Sequence, residues 1–156
     1  MDLDGILVDA APLHAQAFLH ALREGGCEMA LEEHTRRFNG LPTRTKLEIL
    51  VQAGRLPLEA ATGVTTRKQE LTAALAANWE PDLQRIKLLQ VLCKRFLLGC
   101  VTNCTWRNAE LLLQASHLRP YLGLVVTSDD VTKPKPDPEG YRKACKQLEV
   151  PPGEVL

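Results

Sequence analysis

Hydrophobic and polar residues follow two different periodicities along the chain, and the change comes near residue 79. Between residues 15 and 78 the apolar positions recur at helical spacing, as Phe18 and Leu22 do, and no segment shows the alternation of a strand. Stop signals such as Asn39-Gly40 separate the helical segments. This part of the chain is therefore predicted to be a small helical bundle.

The helices of this bundle carry start and stop signals. Asp9 is a suitable N-cap for a first helix, Pro12 suits its first turn, and Gly25-Gly26 ends it. The remaining predicted helices are residues 31–38 and two segments that follow capping-box sequences at residues 45–48 and 66–69.

From residue 81 onward, short apolar runs alternate with helical segments. Residues 96–101 and 123–126 are predicted to be buried strands, and residues 154–156 to open a third. Predicted helices at 81–95, 106–115 and 138–148 separate these runs. Strands that alternate with helices in this way form right-handed βαβ units, so an α/β core with a parallel sheet is predicted.

The composition narrows the class of protein. Of the 156 residues, 45% are hydrophobic, which is enough for a buried core. Nineteen basic and nineteen acidic residues give no net charge, so nothing predicts a nucleic-acid partner. Five cysteines without a CxxC spacing favour reduced thiols over a disulfide framework or a zinc site. No apolar span is long enough for a membrane, so we expect a cytoplasmic protein with no membrane partner.

Polar groups follow the predicted strands, where a parallel sheet places its functional loops. Asp2 and Asp4 point the same way from an extended backbone and can share a divalent cation, and Gly5 lets the chain turn away. Thr102-Asn103 can donate hydrogen bonds to an anion. In residues 133–136, prolines alternate with two lysines and define a rigid path that would point one lysine inward. Taken alone, the acids also fit a solvated turn, and the Thr102 hydroxyl also fits a helix cap.

Together these stretches resemble the motifs of the haloacid dehalogenase superfamily, in particular its phosphatase and phosphomutase members with a helical cap. Residues 2–9 look like the first motif, Val101-Thr102-Asn103 like the second and residues 133–137 like the third. The resemblance covers nearly the whole chain. It implies a Rossmann-like parallel-sheet core, formed by residues 1–14 and 79–156, with an inserted α-helical cap subdomain formed by residues 15–78.

The resemblance also implies a Mg²⁺-dependent phosphoryl transfer from a small phosphorylated metabolite. Asp2 would be the nucleophile that takes the phosphoryl group, and Asp4 the general acid and then the general base. Thr102 and Lys133 would neutralise charge on the phosphoryl oxygens, together with a donor from Asn103 that binds the substrate. Asp2, through its carboxylate, and Asp4, through its backbone carbonyl, would hold the Mg²⁺.

Three further residues are candidates for substrate binding. Gly40 and Arg44 lie in a loop between predicted helices that faces the acids in such caps, where Arg44 could meet an anionic or hydroxylated part of the substrate. His14 follows the first motif and could contact the substrate. A solvated surface position for Arg44 and a hydrogen-bonded structural role for His14 are open alternatives.

Several reactions occur in the family. A phosphatase is the leading prediction and a sugar-phosphate mutase the near alternative, because both use Asp2 and Asp4. A dehalogenase has no need of the second acid as a proton donor, and a phosphonate hydrolase needs an imine-forming cap lysine, a role for which Lys46 and Lys68 are not distinctive. A catalytically silent module with the same fold is the alternative from a different class.

The chain departs from the family pattern at both ends. Only Met1 precedes Asp2, where the family has several residues of the central strand, and the chain stops at residues 154–156, before the acids of a fourth motif. We therefore expect a chain truncated at both ends, with a weakened Mg²⁺ site. Exposed sheet edges would favour association into a homo-oligomer.

Overall fold

The computed structural model of the protein describes residues 1–155, which form two compact units. The first unit consists of Met1–Ala10 and the chain from Asn78 onward, and the second consists of Ala11–Ala77. Within the described residues, no helix has the length and apolar character needed to cross a membrane. The role of residues 15–78 as a cap stays a prediction.

The second unit is built from four helices, as the periodicity of its sequence predicts. They are α1 (Ala11–Glu24), α2 (Leu31–Arg37), α3 (Thr43–Gln52) and α4 (Ala60–Ala76). The two capping boxes predicted at residues 45–48 and 66–69 are wrong, because α3 and α4 begin upstream of them and neither helix has a side-chain cap. In each case a Thr that lies inside the helix, Thr45 in α3 and Thr66 in α4, imitates a start signal in the sequence.

A single apolar cluster holds these four helices together. Phe18 and Leu22 of α1, Phe38 after α2, Leu50 of α3 and Val64 of α4 are all at most 2% exposed. Burial of such side chains stabilises the fold by roughly 1.5–3 kcal/mol each. The cluster explains why the helical spacing of the sequence is so regular in this unit.

The first unit is an α/β structure with a parallel sheet. Its strands are β1 (Gly99–Val101) and β2 (Leu124–Val126), which pair in parallel with Cys100 opposite Val125. Its helices are α5 (Leu83–Leu92), α6 (Trp106–Ala115) and α7 (Glu139–Gln147). The predicted α/β architecture is confirmed, with strands shorter than the apolar runs that predicted them. The strand predicted at residues 154–156 is wrong at its start, because Glu154 belongs to a 3₁₀ helix, Pro152–Glu154. Leu156 lies outside the described residues.

Met1 pairs with the free edge of β1 and thereby positions the acidic residues that follow it. The Met1 amino group donates to the Gly99 carbonyl at 2.8 Å, and the Val101 N–H donates to the Met1 carbonyl at 2.9 Å. These two bonds have the pattern of a parallel ladder. Asp2 and Asp4 consequently lie at the carboxyl end of the sheet, where α/β folds place their chemistry.

Candidate active site

Asp4 belongs to a tight loop formed by residues 3–8, and Asp2 directly precedes that loop. The Leu3 carbonyl accepts a hydrogen bond from the Val8 N–H at 2.9 Å, and the Gly5 N–H donates to the Val8 carbonyl at 2.7 Å. Gly5 has a φ of +81°, a left-handed conformation that L side chains rarely adopt. The sharp turn that the sequence predicts at Gly5 is therefore confirmed.

A lysine ammonium lies directly against the Asp2 carboxylate. Lys135 Nζ is 2.8 Å from Asp2 Oδ1 and also donates to the Val101 carbonyl at 2.9 Å. The Leu3 N–H donates to the same Asp2 oxygen at 2.7 Å. The Lys135 side chain is 17% exposed and that of Asp2 43%, so the amine is enclosed while the carboxylate faces solvent. Two donors therefore hold Asp2 Oδ1.

The lysine beside Asp2 is thus Lys135, and the prediction that Lys133 points inward is wrong. Lys133 is exposed, and its backbone N–H donates to Glu139 Oε2 at 2.9 Å. The chain turns between the two lysines, since the Asp137 N–H donates to the Pro134 carbonyl at 3.1 Å. The alternating prolines do not give the extended path on which the prediction relied, so the two side chains diverge.

Asn103 fixes the backbone of Lys135 with both ends of its amide. Asn103 Nδ2 donates to the Lys135 carbonyl at 3.0 Å, and Asn103 Oδ1 accepts from the Lys135 N–H at 2.8 Å. This reciprocal pair explains why Lys135 is held inward. An amide nitrogen has two protons, so a contact of Asn103 with substrate stays a prediction for the second one.

Thr102 and Cys104 connect the end of β1 to Asp4. Thr102 is 4% exposed, and its Oγ1 accepts the Cys104 N–H at 3.0 Å. The Cys104 thiol donates to Asp4 Oδ2 at 3.7 Å. The Thr102 hydroxyl oxygen therefore accepts a hydrogen bond from the local backbone. The proton of the same hydroxyl can donate to a different acceptor. The structure thus links Thr102 to Asp4 through Cys104, and it pairs Asp2 with Lys135 and not with Lys133.

Carboxylates fix both ends of the loop that carries the lysines. Asp130 Oδ2 accepts from the Thr127 N–H at 2.9 Å and from its hydroxyl at 2.8 Å, and the backbone bond is the main cause that lowers the pKa of Asp130. Glu139 accepts the Thr132 N–H at 2.8 Å and the Lys133 N–H at 2.9 Å, which lowers the Glu139 pKa. The loop is consequently tied down before any ligand binds.

His14 lies in α1 of the second unit, where its side chain is partly buried. Its Nδ1 is 3.4 Å from Lys68 Nζ. Burial, followed by the positive charges of Lys68 and Lys46, lowers the pKa of His14 from 6.5 to about 4. The imidazole is neutral at physiological pH and can therefore both donate and accept a hydrogen bond. A contact of His14 with substrate stays a prediction.

Gly40 and Arg44 lie in and after the connection from α2 to α3. Gly40 has a φ of +76°, which fits the helix stop signal in the sequence. The Arg44 side chain is 90% exposed, and its Nε lies 2.8 Å from Glu48 Oε1 one turn along α3. This contact matches the solvated surface alternative for Arg44, and substrate binding by Gly40 and Arg44 stays a prediction.

A cavity of about 180 Å³ in the first unit has no part in this arrangement. It is lined by residues that include Leu7, Trp79 and Arg85, and by none of the predicted catalytic residues. The Arg85 guanidinium donates to the Leu7 carbonyl at 2.8 Å and closes one side of it. The candidate site is therefore defined by the contacts around Asp2 and Asp4, at the carboxyl end of the sheet.

The chain is similar to known proteins along its whole length. The sequence model of the haloacid dehalogenase-like hydrolases matches residues 1–156. The chain is 30% identical over 160 residues to a phosphorylated carbohydrates phosphatase of Thermotoga maritima, covering 99% of this chain and 72% of that protein. It is 32% identical over 162 residues to a phosphoglycolate phosphatase of Nitrosospira multiformis, covering 100% of this chain and 71% of that protein.

A solved structure extends the likeness to three dimensions. The protein CbbY of Rhodobacter sphaeroides, crystallised in complex with phosphate, superposes with a TM-score of 0.83 at 25% identity. The match covers 99% of this chain and 73% of that chain. The Rossmann-like α/β fold predicted from the sequence is confirmed.

Proposed function

The chain belongs to the haloacid dehalogenase-like hydrolase family, and from that membership we propose that it is a Mg²⁺-dependent phosphatase acting on a small phosphorylated metabolite. The observation that carries the proposal is the contact of 2.8 Å between Lys135 Nζ and Asp2 Oδ1. A carboxylate is a poor nucleophile toward a phosphate dianion unless nearby positive charge cancels the repulsion. Lys135 supplies such charge directly at the Asp2 carboxylate.

In the first step, Asp2 Oδ2 attacks the phosphorus atom and the bond from phosphorus to the leaving oxygen breaks. Asp4 donates its proton to that leaving oxygen as the general acid. Lys135 and the Thr102 hydroxyl stabilise the charge on the phosphoryl oxygens. The result is an aspartyl-phosphate on Asp2 and a released alcohol.

In the second step, Asp4 acts as the general base. It takes a proton from a water molecule, which attacks phosphorus and displaces the Asp2 carboxylate. Inorganic phosphate leaves and Asp2 is restored. The Cys104 thiol, whose Sγ is 3.7 Å from Asp4 Oδ2, orients this carboxyl group through both steps.

The oxygen ligands of the site fit Mg²⁺. The cation is commonly held by one or two carboxylates, with phosphate and water completing its shell, and Asp2 with the Asp4 carbonyl offers such a set. Bound Mg²⁺ would neutralise charge on the transferred phosphoryl group. The five cysteines are free thiols, which supports a proposed location in the reducing cytoplasm.

The test is release of inorganic phosphate by the purified chain in Mg²⁺, with phosphorylated sugars, phosphoglycolate and pyrophosphate as substrates. We expect turnover of at least one substrate, and a loss of at least about 10³-fold in Asp2→Asn. Asp4→Asn should accumulate acid-stable label on Asp2 from a ³²P substrate with a good leaving group, because it removes the base that activates water.

Two outcomes would replace the proposal. Transfer of label to a sugar hydroxyl without phosphate release would make the chain a mutase. Phosphate binding without turnover in any condition would favour the catalytically silent module, whereas activity that is unchanged in Asp2→Asn would remove the proposed mechanism.

A further inference from the structure

Ser128 holds the carbonyl group of Cys104 with two donors. The Ser128 N–H donates to the Cys104 carbonyl oxygen at 3.0 Å, and the Ser128 hydroxyl donates to the same oxygen at 3.1 Å. One hydrogen bond satisfies a carbonyl group, so the second bond restrains the direction in which this carbonyl points. Ser128 lies 24 residues from Cys104 in sequence, and the proposed phosphatase steps give it no role.

The turn that carries Ser128 is itself held in place. Ser128–Asp130 forms a 3₁₀ turn that follows the buried Thr127, and a capping box joins Thr127 to Asp130 across this turn. Lys143 of α7 also donates to the Asp130 carbonyl at 2.7 Å. Because these contacts fix the turn, both donors of Ser128 are already directed at Cys104 before any ligand binds.

The backbone on the other side of Cys104 is fixed as well. The Cys104 N–H donates to Thr102 Oγ1 at 3.0 Å, and two residues later the Trp106 N–H donates to Asp129 Oδ2 at 2.8 Å. With its N–H and its carbonyl both bonded, Cys104 has a restrained backbone. Its Sγ lies 3.7 Å from Asp4 Oδ2, so the restrained backbone places the thiol at that carboxylate.

The proposed function requires this carboxylate to be placed accurately. Asp4 is the proposed general acid and base, and a displacement of about 1 Å at a reacting group can lower the rate about 10²-fold. On the basis of that function, we propose that Ser128 is a positioning residue, which holds the Cys104 thiol against Asp4 and does not itself touch the substrate.

The first measurement is steady-state phosphate release by the whole chain in Mg²⁺, with the substrate that the wild-type chain turns over fastest. Ser128→Ala should lower kcat by at least about fivefold and change KM by less than about twofold. The reason for this split is that the described hydrogen bonds of Ser128 reach no group proposed to bind phosphate. Ser128→Thr keeps the hydroxyl and should keep kcat within about twofold of wild type.

Ser116→Ala is the matched control. The Ser116 hydroxyl donates to the Leu112 carbonyl at 2.7 Å and to the Leu113 carbonyl at 3.2 Å. The same substitution therefore removes buried hydrogen bonds, but at the end of α6 that lies away from Trp106. Stability should fall in this variant, whereas kcat should stay within about twofold of wild type. Equal losses of kcat in Ser116→Ala and Ser128→Ala would overturn the proposal, because general destabilisation would then explain both.

A second measurement needs no turnover. Mass spectrometry of the peptide that contains Cys104 follows the rate at which N-ethylmaleimide alkylates this thiol in the folded chain. Ser128→Ala should raise that rate by at least about threefold, because a thiol released from Asp4 is easier for the reagent to reach. Ser116→Ala should leave the rate unchanged. Circular dichroism establishes that each variant is folded before the rates are compared.

The two measurements separate this proposal from the proposed function. An unchanged alkylation rate in Ser128→Ala overturns the positioning role whether or not the chain is a phosphatase. Ser128→Ala should also cost less than about twofold in kcat in a Cys104→Ala background, and an undiminished loss there would mean that Ser128 acts on another group. A wild-type chain without turnover removes the proposed function, and faster alkylation in Ser128→Ala would still establish that Ser128 holds the thiol.

Discussion

Lys135 Nζ lies 2.8 Å from Asp2 Oδ1, which makes Lys135 the cation of the candidate site. Lys133, two residues earlier in the same motif, is exposed. The two lysines have the same side chain and each is followed by proline. Any difference between their roles therefore comes from their surroundings in the folded chain. That difference can be measured.

Substituting each lysine in turn separates the two roles. Lys135→Met removes the ammonium group beside the nucleophile, so we expect kcat/KM for phosphate release to fall by at least about 10²-fold. Lys133→Met removes a solvated charge and should change kcat/KM by less than about threefold. Steady-state assays in Mg²⁺ provide the measurement. A larger loss in Lys133→Met than in Lys135→Met would return the catalytic role to Lys133.

Asn103 is expected to act through Lys135. Asn103→Ala removes two hydrogen bonds to the Lys135 backbone, each contributing about 0.5–1.5 kcal/mol, and releases the lysine from Asp2. We expect kcat to fall at least about tenfold, and Lys135→Met to cost much less activity in this background than in the wild-type chain. The double-mutant cycle is the measurement, and fully additive losses would contradict the positioning role.

The sequence predicted the helical unit, the parallel strands and the first motif because these depend on periodicity and on short turns. Gly5 could be assigned from its neighbours alone, since only the local backbone decides its φ of +81°. The identity of the inward lysine could not be assigned from its neighbours. Lys135 is held in place by hydrogen bonds with Asn103, which lies 32 residues away in sequence. The buried Lys46 was missed for the same reason: its partner His34 comes from another helix.

Cys104 should make the site sensitive to thiol reagents. Its Sγ lies 3.7 Å from Asp4 Oδ2, so a maleimide adduct there would displace the proposed acid and base. We expect N-ethylmaleimide to inactivate the wild-type chain but not Cys104→Ser. The control is Cys93→Ser, which removes an exposed thiol and should be inactivated like the wild-type chain. Residual phosphatase activity after labelling is the measurement, and equal inactivation of Cys104→Ser would place the sensitive thiol elsewhere.

Lys46 should make stability depend on pH in the alkaline range. Its pKa is about 8 in the folded chain against an ordinary 10.5, so the unfolded chain binds the proton more tightly. Below pH 8 both states are protonated and the full cost of burying the charge is present. As pH rises toward 10.5 that cost disappears, and Lys46 then ceases to destabilise the fold.

Lys46→Met keeps the apolar stem and removes the charge. The variant should be more stable than wild type at pH 7, by on the order of 2–3 kcal/mol, and this advantage should shrink as the pH is raised above about 8. Urea unfolding at a series of pH values measures it. In addition to burial, Lys46 lowers the pKa values of His34 and His14, but both are lowered from 6.5, so a change in the stability difference above about pH 8 reports Lys46 and not these histidines. A pH-independent difference would show that Lys46 is not the titrating group.

Two glycines of the second unit should respond in opposite ways to alanine. A Cβ on Gly25 would lie 2.6 Å from Val64 Cγ2, whereas a Cβ on Gly63 meets no atom within 4 Å. Val64 is 2% exposed and belongs to the apolar cluster, so it has little room to move. We expect Gly25→Ala to destabilise the fold by about 1–3 kcal/mol and Gly63→Ala, in the first turn of α4, to stabilise it by about 0.5–1 kcal/mol.

The clash itself can be tested by removing its other partner. In a Val64→Ala background the methyl group that Gly25→Ala would meet is gone, so the cost of Gly25→Ala should fall to near zero. Urea unfolding of the two single variants and the double variant measures this coupling. If Gly25→Ala costs the same in both backgrounds, its effect comes from the backbone of residue 25 and the close packing of Gly25 on Val64 has no energetic role.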